Sequence, residues 1–188
     1  MSTATLTPAL TGTYAIDATH SRLGFVARHA MVTKVRGNFN DFTGSGHFDP
    51  ETPSNSNVSV TIQAKSIDTR NEDRDTHLRS NDFFAMDTYP TLTFESTDVE
   101  QVDGDTFRVT GDLTIKDVTK SVTIDFDYEG AATDPFGLDR IGFEGTTTVN
   151  RKEFGLDWNT PLDAGGVLVS DKVTLEFEIS AVKQDAEG

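Results

Sequence analysis

The chain contains no cysteine, which excludes a disulfide framework, a thiol nucleophile and a zinc–thiolate site. It has no apolar run approaching the ~18 residues of a membrane span. Its opening stretch, MSTATLTPALTGTY, has neither the basic region nor the apolar segment of a secretory signal. Together these absences lead to the expectation of a cytoplasmic protein with no transmembrane segment. Cations are also scarce, with 16 Lys and Arg against 31 Asp and Glu and a formal net charge of −15. A surface that acidic argues against nucleic acid, or anionic lipid headgroups, as general partners, because phosphates are held by basic patches.

The usual marks of catalysis are missing as well. There is no GxSxG elbow, no GxGxxG loop and no GxxxxGK[ST] loop. The four histidines, His20, His29, His47 and His77, form no HxH or HExxH pattern. The expectation is therefore a protein without metal, cofactor or catalytic residues. His47 is placed on an outer, solvated face, and His20 at a turn. His29 differs, because its parity puts it on an inner face near a strand end.

What the chain has in quantity is alternation. Its 188 residues fit one domain that buries its own core. Apolar residues recur at every second position in the rows Leu23-Phe25-Ala27, Val58-Val60-Ile62-Ala64 and Phe107-Val109-Gly111-Leu113-Ile115. The pattern continues through Val122-Ile124-Phe126-Tyr128, Ile141-Phe143-Gly145-Thr147-Val149 and Val173-Leu175-Phe177-Ile179-Ala181. Between Phe39 and Phe42 the parity shifts from odd to even, which marks a bulge or sharp bend near Asp41. Period-2 patterning with one dry face means antiparallel sheet, and no βαβ rhythm interrupts it. A sandwich and a closed barrel both satisfy this; long strands favour the barrel. Residues 1–11 read as a frayed leader and 184–188 as a tail.

The inward rows are rich in rings: Phe25, Phe39, Phe94, Phe107, Phe126, Phe143 and Phe177, joined by Leu113 and Ile124. They also carry Ala27, Gly37, Ala64, Gly111, Gly145 and Ala181, which leave more room than a filled barrel needs. An apolar chamber lined in this way suits a hydrocarbon ligand rather than a sugar or nucleotide.

One stretch, from Ser66 to Thr97, breaks the alternation and reads as helical, with the plug itself at about 71–84. Asn71 is the expected N-cap, with Glu72 and Asp73 in the first turn. Arg74 and Leu78 share a face, Asp75 and Arg79 form an acid-before-base pair, and His77 lies one step along. Phe83 and Phe84 are expected to dock on the barrel, and Tyr89-Pro90 ends the stretch. The long segment 152–166, with Phe154, Leu156, Trp158 and Leu162, is a candidate lid over one mouth.

Taken in order, Tyr14-Ala-Ile-Asp17, His20-Ser21, Gly37-Asn-Phe39, Ser66-Ile-Asp68, Arg74-Asp75-Thr-His77-Leu78, Asp82-Phe-Phe84, Tyr89-Pro90, Gly111-Asp-Leu-Thr-Ile115 and Asn150-Arg151 with Phe154-Gly155 resemble the YceI-like family. The resemblance runs from about residue 12 to residue 183. It implies a single all-β domain, a lipocalin-like extended antiparallel β-barrel around an apolar tunnel. It implies binding of polyisoprenoid chains, isoprenoid quinones or fatty amides, and often a homodimer. On this expectation the aromatic rows hold the tail of a lipid-like small molecule, and His29, Arg74, His77 or Arg151 meets its polar head. Two alternatives stand beside this carrier: a lipid-acting enzyme with His29 or His77 as general base, and a stress-related interaction module whose barrel is incidental.

Overall fold

The computed structural model describes residues 6–159, 162 and 168–184. Among them are the strands β1 (Gly12–Ile16), β2 (Arg22–His29), β3 (Thr33–Phe39), β4 (Phe42–Phe48), β5 (Asn57–Gln63) and β6 (Ile67–Asp68). The helix α1 (Glu72–Arg79) follows, then β7 (Thr91–Gln101), β8 (Thr106–Ile115), β9 (Val118–Thr133), β10 (Asp139–Asn150) and β11 (Lys172–Lys183). Every strand pairing is antiparallel. Hydrogen bonding runs β1-β4-β5-β7-β8-β9-β10-β11 and returns to β1, so the sheet is a closed eight-stranded barrel rather than a sandwich.

Three staves are each broken in two. β11 pairs with β10 from Lys172 to Val182, and on its other side meets first β2 and then β1. β1 and β2 are thus halves of one stave, interrupted at Ala18–His20, where the Asp17 carboxylate accepts the Thr19 N–H. β3 lies on β2 and β4 on β1, with the expected bend falling at residues 40 and 41. β5 continues on β4, while β6 continues on β3. Among the described residues β6 has no second partner strand, and α1 packs against it.

The helix is shorter than the sequence pattern predicts. Asn71 caps it as expected, its side chain accepting the Arg74 N–H, but the helix ends at Arg79. Residues 81–84 form turns, Ile67–Asp68 is a strand, and Thr91 already belongs to β7. Tertiary pairing overrides the local pattern at both ends of that stretch. Two further differences concern boundaries. β9 and β10 extend to a turn of residues 134–138, although Asp134-Pro135 and Gly137 read from the sequence as part of a loop from Gly130 to Asp139. Leu6 and Leu10, within the expected leader, pack on the core, and the Tyr14 hydroxyl donates to the Leu10 carbonyl at 2.7 Å. Residues 1–5 and 185–188 lie outside the described residues.

The barrel has a plug end, beside α1, and a hairpin end, where Tyr14, Phe48, Phe107, Tyr128 and Ile141 are buried together. Edge-to-face contacts of Phe48 with Phe107 and Phe143, both at 5.3 Å between centroids, fill the hairpin end. Arg140 ties the outside of this end together. It reaches Asp17 and Asp134, both at 2.8 Å, while His20 sits 2.7 Å from Asp17.

The inward glycines do not contribute empty space. A Cβ on Gly37 would lie 2.3 Å from the Phe25 ring, one on Gly111 2.5 Å from the Phe94 ring, and one on Gly145 2.8 Å from the Phe126 ring. Each glycine is the seat of a phenylalanine from the neighbouring strand. Each ring takes up the space beside the wall that a side chain at the glycine would fill. Gly37→Ala is expected to cost about 1–3 kcal/mol through overpacking, read as a lower urea midpoint. The double variant Gly37→Ala with Phe25→Leu should recover part of that loss.

The hairpin end also sets an acid limit. Hydrogen bonds from Thr19, Arg140 and His20 hold the Asp17 carboxyl well below its ordinary value of 3.8. A lowered pKa adds stability that is present above 3.8 and is lost as pH falls through the folded-state value. Urea midpoints should therefore decline as the pH drops below that ordinary value, and Asp17→Asn should flatten the decline.

Candidate functional site

Inside the barrel is an elongated apolar cavity of about 310 Å³. All five inward residues of β11, Val173, Leu175, Phe177, Ile179 and Ala181, border it. At ~3.3 Å per residue they follow the strand for about 26 Å. The chamber is therefore long and narrow, and at the small end of the ~300–1,000 Å³ usual for ligand sites. Its wall is made by the strand alternation itself, since the outward partners are polar.

All nine apolar residues expected from the sequence border the cavity: Phe25, Phe39, Phe94, Phe107, Leu113, Ile124, Phe126, Phe143 and Phe177. Leu23, Val122 and Ile141, in the same alternating rows, border it too, as do Ile67 and Leu92, whose strands lie in the stretch read as helical. Leu78, Phe83 and Phe84 complete the wall beside α1. No strand periodicity covers these three; only the docking of the plug places them there.

The expected polar head group is not one cluster. Arg151 alone of its four members borders the cavity. His29 is exposed at the end of β2, past Ala27, where the strand runs beyond the chamber. Arg74 faces the preceding loop, donating from Nε to the Thr69 hydroxyl and from a terminal nitrogen to the Thr69 carbonyl, both at 2.7 Å. His77 lies 2.8 Å from Asp82 and meets the Trp158 ring edge-on at 4.5 Å between centroids.

The rest of this motif likewise serves the plug. Asp75 is buried and accepts from the Thr69 N–H at 2.9 Å and the Thr69 hydroxyl at 2.6 Å. The expected Asp75–Arg79 pair does not form, because the buried Thr69 donors claim the carboxylate. Arg79 instead donates to the carbonyls of Lys65 and Ile67. Within Arg74-Asp75-Thr76-His77-Leu78, the polar side chains tie α1 to its flanking loops and Leu78 faces the ligand space.

Arg151 holds the segment expected to be a lid. Arg151 is 4% exposed. Nε donates to the Ser170 carbonyl at 2.8 Å, one terminal nitrogen to the carbonyls of Leu156 and Trp158, and the other to that of Val169 at 3.3 Å. Four of its five N–H groups are thus taken by backbone. Burial pushes its pKa down, opposed by the nearby Asp171 and Asp157. Phe154 is buried and borders the cavity, as does Leu156. Trp158 does not border it and packs on His77 and Phe83. Residues 160, 161 and 163–167 of the same segment lie outside the described residues.

At the hairpin end the cavity reaches Ser45, His47, Ser56 and Asn57, while His47 stays half-exposed, with an outward parity opposite Asn57. Gly44 and Gly46 carry no side chain to screen their neighbours there. Tyr14 also borders the cavity, its pKa pushed up to about 12 by burial and by Tyr128. Among the described residues there is no group of three or more potential metal-ligating side chains.

A closed antiparallel barrel with a plug at one end and a long apolar interior defines the class as lipocalin-like. The YceI-like domain model matches residues 14–181, and the chain belongs to that family. A UPF0312 protein of Pseudomonas aeruginosa is 40% identical over 178 residues, covering 94% of this chain and 90% of that protein. The crystal structure of Burkholderia cenocepacia BcnA superposes with a TM-score of 0.78 at 25% identity, covering 88% of this chain and 98% of that one. A polyisoprenoid-binding domain from Saccharophagus degradans, implicated in plant cell wall breakdown, superposes at a TM-score of 0.69. At 18% identity, over 91% of this chain and 98% of that domain, this last likeness is one of fold.

Removing the Arg151 guanidinium would take a donor from four backbone carbonyls, of which that of Val169 keeps Asn159 as a second donor. Arg151→Met is expected to cost at least about 3 kcal/mol, measured by urea denaturation. Arg151→Lys should fare little better, since an ammonium cannot span the same fork.

Proposed function

We propose that this protein binds and carries one elongated isoprenoid-type lipid, a polyprenyl chain, quinone tail or fatty amide, inside its barrel. The single observation behind this reading is the cavity's shape: apolar side chains along about 26 Å of strand and little width. A narrow apolar tube gains most from a linear hydrocarbon, because every methylene buried contributes ~0.8 kcal/mol. Polar residues border it only toward its two ends, Arg151 at one and Tyr14, Ser45, His47, Ser56 and Asn57 at the other. Membership of the YceI-like family and the fold shared with a polyisoprenoid-binding domain support the same reading.

The role proposed is carriage without chemistry. His29 and His77, the candidates for a general base, both lie off the cavity wall, and proton transfer requires hydrogen-bond reach of the reacting atom. Organic extracts of the purified protein, analysed by mass spectrometry, should contain a long-chain lipid in near-stoichiometric amount. Leu175→Trp and Ile179→Trp, which fill the middle of the tube, should lower that yield several-fold while the fold persists. Extracts that are repeatedly free of lipid would refute the reading.

A further inference from the structure

The longest stretch of this acidic chain without any Asp or Glu runs from residue 18 to residue 40. Its centre is the β2–β3 hairpin, which projects at the plug end two residues beyond Ala27, where the cavity wall stops. Arg28, Lys34 and Arg36 are all exposed there, and His29 beside them. Among the described residues none of the three cations has a carboxylate partner, unlike Arg22, Arg79, Arg108, Arg140, Arg151 and Lys152, though Lys65, Arg70, Lys116 and Lys120 also have none. Arg28 stands directly opposite Lys34 in the ladder, with Arg36 diagonal to it on the same outer face. Like charges so placed destabilise a sheet. On the neighbouring strands and loop, Glu176 is held by Arg22, Asp171 by Lys152 and Arg151, and Asp68 by Asn40.

The tip itself is apolar. Met31 is 63% and Val32 74% exposed, and they are adjacent. The turn is also strained, with Ala30 at φ 51° and Met31 at φ 64°, left-handed values held by residues other than glycine. Protection of a sheet edge explains part of this, because β3 is paired on its far side only at Asn38 and Phe39. It does not explain Arg28, whose strand is paired on both sides, nor an apolar tip.

We propose that this hairpin docks the protein on an anionic bilayer, with Met31 and Val32 entering the headgroup layer and Arg28, Lys34 and Arg36 meeting lipid phosphates. The proposal rests on the carrier reading in one respect: docking here brings the end of the cavity bounded by Ala27, Val169 and Arg151 to the membrane. The overall charge of −15 does not oppose it, since charges farther than a Debye length of ~8 Å are screened. An apolar tip between cations fits a bilayer better than a polynucleotide, which offers the tip no apolar layer.

Co-sedimentation with phosphatidylglycerol-rich vesicles, against phosphatidylcholine alone, tests this with the whole chain. Binding should be confined to the anionic vesicles and weaken with salt. At about fivefold per cation, the triple variant Arg28→Ser, Lys34→Ser, Arg36→Ser should lose about a hundredfold in partitioning. Met31→Ser with Val32→Ser should also weaken it, while Leu175→Trp should bind like the native chain. Absence of native binding, or equal binding by the triple variant, overturns the proposal. So does a triple variant that alters only the elution size, since the hairpin would then be an interface between copies. Lipid-free extracts from a chain that still binds vesicles would refute the carrier reading and leave this one standing; loaded extracts without vesicle binding would do the reverse.

Discussion

A sheet of this length can curl shut only if its last strand finds its first, and here Ala181–Lys183 of β11 pairs with Tyr14–Ile16 of β1. Closure removes the exposed edges of most staves and forces one face of every strand inward. All else in the molecule follows from having an inside. The inward positions must be apolar along the full height of the wall, and the two ends must be stopped without leaving backbone unsatisfied.

The ends are stopped in different ways. At the hairpin end aromatic rings fill the lumen, so the stop is made of the wall itself. At the plug end the stave β5–β6 is broken, and α1 with Phe83 and Phe84 is laid into the gap. A helix in a wall cannot join the ladder, so its attachment falls to side chains. Asp75 and Arg74 close on Thr69, Arg79 on the carbonyls of Lys65 and Ile67, and Arg151 gathers four carbonyls of the adjoining loop. The densest group of buried polar contacts is thus structural, which is why charged residues near a lipid-sized chamber do not amount to a head-group site.

The wall of the barrel has its own packing rule. Phe25, Phe94 and Phe126 lie over Gly37, Gly111 and Gly145, where any Cβ would strike the ring. A large ring seated on a glycine takes up the space beside the wall that a side chain there would fill. Glycine and phenylalanine here act as one unit of construction in the wall of a slender apolar chamber.

Much of this was legible in the chain. Alternation in rows such as Val173 to Ala181 identifies the inward face, because side chains in a strand reverse direction at every residue, and all nine aromatic and aliphatic positions so assigned reach the cavity. The Asn71 cap and the bend at Asp41 were equally readable, since each is a local conformational requirement. Local pattern has no means of saying where an element stops when its neighbour decides. Thus Ile67–Asp68 and Thr91 onward became strand by pairing. Nor does it say what a polar side chain faces. Arg74, His77 and Arg151 are alike on paper, and only the tertiary packing turns all three toward loop partners while leaving Arg151 at the border of the cavity. Fold and apolar lining were properties of the sequence, because the period-2 rule acts residue by residue. The polar partnerships and the width of the tube belonged to the tertiary structure, because they depend on contacts between segments far apart in the chain.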